Sequence, residues 1–164
     1  MAVAKAINQL SNLVYRISCV IVVVLLAAMV VVTSLQIICR VFFTALSWSE
    51  ELARYLLVWS TFIGAGCVYK TGGHIAVTIV RETLPKNAQK FLKILAHVLC
   101  GVFFVIATYY GFKYMGRQGS QLSAALRIPM RYIYMAIPVN SCVMLLHTVN
   151  EISQIINSKE VTAQ

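Results

Sequence analysis

Two histidines offer the most direct chemistry in this 164-residue chain. His97 falls near the start of one long apolar run and His147 near the end of another. In antiparallel helices their imidazoles would lie at similar depth, where a b-type haem could sit between them. The competing reading is two histidines hydrogen-bonded near the membrane boundary. A second constellation, Ser47-Trp48-Ser49-Glu50-Glu51 followed by Arg54, gathers two carboxylates and a guanidinium at the mouth of an apolar helix. Glu50 and Arg54 stand at i,i+4 with the acid on the N-terminal side, the orientation that favours an ion pair. Ser47 and Glu50 fit a capping box for the same helix. Gln36, Asn140, Ser141 and Asn150 lie within or beside apolar runs. Such groups bind either a neighbouring helix or a substrate.

Much other chemistry has no material here. There is no aspartate, so a soluble hydrolase or metal enzyme built from carboxylates is not expected. We find no nucleophile–base arrangement and no metal-ligand spacing. The glycine clusters around Gly64, Gly66 and Gly73 lack the Gly-Lys-Ser/Thr ending of a phosphate loop. The five cysteines, Cys19, Cys39, Cys67, Cys100 and Cys142, all fall in or beside apolar runs, form no CxxC pair and read as small packing residues. No cofactor and no metal is expected beyond the haem alternative.

The elements that must position these groups are membrane helices. The chain is 60% hydrophobic and 12% charged, which is membrane composition. Its net charge of +9 would suggest nucleic acid only without regard to position, because the cations flank apolar runs as anchors at lipid headgroups do. We therefore expect one all-α integral membrane domain over residues 1–164 with four spans, at about 17–43, 49–69, 94–112 and 132–150. A short polar-apolar lead, Met1 to Arg16, precedes the first span and reads as an interfacial helix, with Ile7, Leu10, Leu13 and Val14 on one face. The uncharged run from Tyr55 to Tyr69 rises only about 22 Å as a helix, against a bilayer core of about 30 Å. The second span must therefore start near Ser49, drawing Glu50, Glu51 and Arg54 into the boundary beside an interfacial Trp48. Ser60, Gly64, Ala65 and Gly66 give that span a small-residue patch for close helix approach. Thr71-Gly72-Gly73-His74 breaks it. An amphipathic helix at about 75–84, too short to span, then lies in the interface. Tyr109, Tyr110 and Tyr114 form an aromatic belt, a polar loop runs from Lys113 to Arg131, and Pro138 bends the last span.

With the N-terminus inside, Lys5, Arg16, Lys70, Arg81, Lys86, Lys90, Lys93 and Lys159 fall inside, and Arg40, Arg54, Lys113, Arg117, Arg127 and Arg131 fall outside. The split of 8 against 6 favours both ends inside. No span has a charge near its middle, which argues against an ion-coupled path through this chain alone.

The order of these residues resembles the small membrane subunit (DctQ-like) of TRAP transporters, the tripartite ATP-independent periplasmic transporters. A first span ending in Arg40 is followed by Trp48-Ser49-Glu50-Glu51, Arg54, Trp59, Gly64-Ala65 and Gly73-His74-Ile75-Ala76-Val77. Leu126-Arg127-Ile128-Pro129 and Tyr132 then precede Ile137-Pro138-Val139. The resemblance runs from Arg16 to about Asn150. It implies a bacterial inner-membrane protein, both termini cytoplasmic, that is not an enzyme. It implies a large membrane partner carrying the sodium and substrate sites and moving as an elevator. A periplasmic binding protein would deliver an organic acid of the C4-dicarboxylate or sialic acid class. The small subunit would brace the immobile scaffold. Within that frame Arg40, Trp48, Glu50, Glu51, Arg54, Trp59, Gly64 and Gly66 are candidates for a boundary network or partner interface. The alternative for the charged groups is a local cap and ion pair within this chain. Gly73 and His74 would form the interfacial turn, and Pro129, Tyr132 and Pro138 the start of the last span.

Overall fold

The computed structural model describes residues 2–44, 46–71 and 86–161, with side chains described for 5–44, 46–71 and 91–155. The expected interfacial helix at 75–84, with Gly73 and His74, lies outside the described residues. The fold is all-α: α1 (Ala2–Phe42), α2 (Ser47–Lys70), α3 (Lys86–Arg117), the single turn α4 (Arg131–Tyr134) and α5 (Ala136–Val161). Four helices are long and apolar enough to cross a membrane, over Lys5–Phe42, Ser47–Lys70, Phe91–Arg117 and Arg131–Ile155.

The expected lead and first span are one helix. No glycine or proline interrupts Ala2 to Phe42, so nothing stops the helix for 41 residues, about 62 Å of rise. α2 packs between α1 and α5, and α5 also packs on α3. α1 reaches α5 as well, but among the described residues does not touch α3. The capping box is not formed. Ser47 already lies inside α2, whose N-cap is Leu46 with no side-chain cap bond. The fully buried Ser49 instead donates from Oγ to Leu46 O at 2.8 Å. The bend attributed to Pro138 appears one turn earlier, as the break between α4 and α5 at Met135. Proline has no N–H for the carbonyl of Tyr134 and its ring crowds that group, so the ladder fails there.

The loop between α3 and α4 is more ordered than a plain polar connection. Leu122 and Pro129 form an antiparallel bridge, Ser123 N–H donates to Ile128 O at 2.9 Å, and Met130 N–H donates to Gln121 O at 2.8 Å. This hairpin turns at Arg127, which holds a φ of 52°, a left-handed conformation unusual for a residue with a side chain.

Inside and outside are inverted relative to a soluble bundle. Fully buried side chains include His147, Asn150, Thr148, Ser11 and Ser49, whereas Val23, Val31 and Val41 are each more than 65% exposed. Lipid solvates such valines without penalty, and polar contacts with close packing hold the helices together. Close packing is visible at two glycines. A Cβ on Gly111 would stand 3.0 Å from Pro138 Cδ, and one on Gly66 would stand 3.0 Å from Asn140 Oδ1.

Candidate functional site

The polar side chains collect in two clusters at opposite ends of the bundle. The first lies where α2 begins. Glu51, in the opening turns of α2, points its carboxylate at the hairpin. Oε2 accepts the N–H groups of Ala125 at 2.7 Å and Leu126 at 2.9 Å, while Tyr55 donates its hydroxyl to Oε1. Two successive N–H groups at a turn make an anion nest, and a carboxylate is a strong acceptor for it. Tyr55 also lies 3.5 Å from Met130 Sδ, and the buried Ser123 accepts the Ile128 N–H on Oγ at 3.1 Å. Glu51 therefore pins a loop that follows it by more than seventy residues.

Glu50 faces the other way, toward α1. Gln36 Nε2 donates to its Oε1 at 3.2 Å. Gln36, Arg40, Leu46 and Glu50 line a cleft of about 270 Å3. The structure thus brings Glu50 and Arg40 to one cleft and leaves Arg54 exposed, with no ion pair to either carboxylate among the described residues. Trp48 is exposed and Trp59 half-buried. Gly66 is buried at its close approach to Asn140, while Gly64 has open space where a side chain would be. Pro129 sits in the hairpin bridge, Tyr132 lies under the Arg131 guanidinium at 5.0 Å, and Pro138 is buried against Gly111.

The second cluster lies where α2 ends. Lys70 Nζ donates to Ser11 Oγ at 2.8 Å and Asn12 Oδ1 at 2.6 Å, and stands 5.6 Å from the centre of the Tyr15 ring. Ser11 Oγ is 2.9 Å from His147 Nδ1. An ammonium only donates, so Ser11 accepts from Lys70, and its hydroxyl bridges that cation to the His147 ring. Tyr69 and Thr148 join α2 to α5 through their hydroxyls at 2.8 Å. Asn8 Oδ1 accepts from Gln154 Nε2 at 3.2 Å and Asn150 Nδ2 at 3.4 Å. One cation and several neutral side chains so tie α1, α2 and α5 into a knot.

Sequence reasoning missed Lys70, Asn8, Ser11 and Asn12. The signal was present: Asn8, Ser11, Asn12 and Tyr15 recur at three- and four-residue spacing, a polar stripe on one helical face. The expected interfacial lead is continuous with the first span, Leu10 and Leu13 are 51% and 56% exposed, and the polar stripe faces the bundle.

The haem reading gains no support from this geometry. His147 is fully buried, with its Nδ1 engaged by Ser11 of α1. His97 Nδ1 donates to Lys93 O at 2.8 Å within its own helix. The ring of Tyr69 stands 6.3 Å from that of His97, and its hydroxyl bonds Thr148 beside His147. Among the described residues no group of three or more His, Cys or Glu side chains could hold a metal ion.

Comparison with known proteins places this architecture. Residues 29–157 match the family described as the DctQ component of tripartite ATP-independent periplasmic transporters. The sialic acid TRAP transporter small permease protein SiaQ of Vibrio cholerae is 25% identical over 147 residues, covering 89% of this chain and 85% of that protein. The C4-dicarboxylate TRAP transporter small permease protein DctQ of Rhodobacter capsulatus is 29% identical over 101 residues, 60% of this chain and 44% of that protein. The sialic acid TRAP transporter permease protein SiaT of Haemophilus influenzae is 26% identical over 125 residues, 76% of this chain but only 20% of that longer protein. With four helices fit to cross a bilayer and a family match over most of its length, this multi-pass membrane protein belongs to the DctQ component family of tripartite ATP-independent periplasmic transporters.

Proposed function

We propose that the chain is the stationary, non-catalytic small subunit of a sodium-coupled transporter for an organic acid of the C4-dicarboxylate or sialic acid class. A larger membrane partner carries the sodium and substrate sites and moves against it, and a periplasmic binding protein delivers the cargo. One observation carries this reading. Polar side chains at each end hold helices and a loop to one another, through Lys70–Ser11–His147 at one end and Glu51 with the hairpin at the other. Such a frame resists deformation. The long α1 and the boundary cations resist tilt and vertical drift in the bilayer.

The relatives support a larger partner. SiaT carries its DctQ-like segment within a much longer polypeptide, and the isethionate TRAP transporter permease protein DctMQ of Oleidesulfovibrio alaskensis does the same, with 17% of its length matched. In this reading the chain lies in the bacterial inner membrane with both termini cytoplasmic, so that the hairpin end faces the periplasm. The partner interface draws on the outward-facing candidates Trp48, Arg54 and Gly64, with Trp59 half-buried beside them, while Arg40 and Glu50 belong to the boundary network at the cleft between α1 and α2. Glu51 and Gly66 serve the chain's own packing. Reversing the charge of the exposed Arg54, as Arg54→Glu, and copurifying the chain with its large permease tests the assignment. Recovery of the complex falls if the boundary is an interface; full recovery with normal uptake rejects it.

A further inference from the structure

We propose that the cleft between α1 and α2 lined by Gln36, Arg40, Leu46 and Glu50 holds the head group of a zwitterionic phospholipid bearing a primary ammonium. The proposal needs only that the chain lies in a bilayer, and it stands apart from the transporter reading.

The cleft presents opposite charges that do not satisfy each other. Arg40 lies in the last turn of α1 and Glu50 in the first turn of α2, both exposed, and no ion pair joins them. Glu50 has a single neutral donor, Gln36 Nε2 at 3.2 Å on Oε1, which leaves Oε2 open. Arg40 makes no hydrogen bond to the described residues. Two unmatched charges of opposite sign facing one cavity are complementary to a ligand that carries both signs. A volume of about 270 Å3 would hold about nine waters at ~30 Å3 each, the scale of a phosphoethanolamine group. The phosphate would meet the Arg40 guanidinium, which matches it in a planar, two-pronged fashion. The ammonium would donate to Glu50. A choline head has no N–H to donate, and a purely anionic head would be repelled by the carboxylate. Phe42 and Phe43, 73% and 78% exposed in the chain segment that leaves α1, suit the apolar region where the lipid's tails begin.

The test uses the full chain, purified in detergent, stripped of lipid and titrated with phosphatidylethanolamine, phosphatidylglycerol or phosphatidylcholine under native mass spectrometry. Phosphatidylethanolamine should be retained roughly five- to tenfold better than the other two. Glu50→Gln should abolish that preference, and Arg40→Gln should weaken all three lipids alike. The double exchange of Arg40→Glu with Glu50→Arg should restore the preference at least in part, which a merely misfolded variant would not do. Equal retention of the three lipids, or an unchanged preference in Glu50→Gln, overturns the proposal. So does loss of phosphatidylethanolamine when the chain is copurified with a large permease, because the cleft would then belong to a protein partner. Uptake assays do not enter these outcomes, so failure here leaves the transporter assignment standing.

Discussion

The two ends of the bundle are held in different ways. At the hairpin end one carboxylate, Glu51, grips the backbone of a loop. At the lysine end Lys70, Ser11 and His147 connect side chain to side chain across three helices, with Asn8, Asn150 and Gln154 alongside. A backbone grip fixes the shape of a loop whatever its side chains are. A side-chain knot fixes how helices cross. Loss of the first should loosen one loop, and loss of the second should loosen the fold.

Lys70→Ala should therefore produce the largest effect. It removes two charge-assisted donors and leaves Ser11 and His147 without their organiser, for a loss of about 3 kcal/mol. Thermal unfolding in detergent micelles would show it. Gly66→Ala comes next at about 1–3 kcal/mol, because the new methyl meets Asn140 Oδ1 at 3.0 Å. The same change at Gly64 meets nothing within 4 Å and should leave the chain's own melting point in place. The contrast separates a packing glycine from one that faces outward. Glu51→Gln should cost about 1–2 kcal/mol. Its mark is local: hydrogen exchange at Ala125 and Leu126 rises by roughly tenfold while the melting point moves little. A large drop in melting point would show that the hairpin is part of the core. Arg127→Gly is the smallest change and has the opposite sign. Glycine accepts a φ of 52° without strain, so the hairpin should gain about 0.5–1 kcal/mol before the entropy of a freer unfolded chain offsets part of it.

How much of this was legible in the sequence follows from whether each cause is local. The last three spans lie inside observed helices, and the first ends one residue beyond α1, because apolar length is written in order along the chain. The place of Glu50 and Glu51 at the opening of α2 followed from the same length. The partners of Glu51 did not, since Ala125 and Leu126 meet it through backbone groups that no residue type announces. The hairpin gave no signal either, because its left-handed residue is Arg127 rather than a glycine or asparagine. The lead was expected as a separate interfacial helix, but with no glycine or proline to stop it the helix runs on into the first span. In lipid the Asn8–Ser11–Asn12–Tyr15 stripe gains more from partners than the apolar face does, so the stripe meets the other helices. Pro138 announced its bend, and the ladder broke one turn before it, where the missing N–H would have been used.

A rigid frame with no path of its own should move nothing by itself. Reconstitution into proteoliposomes tests this directly, comparing the chain alone with the chain plus its large permease and binding protein under an inward sodium gradient. The account predicts no uptake above empty vesicles for the chain alone and sodium-driven uptake for the full set. Sodium-driven accumulation of an organic acid by the chain alone would contradict it.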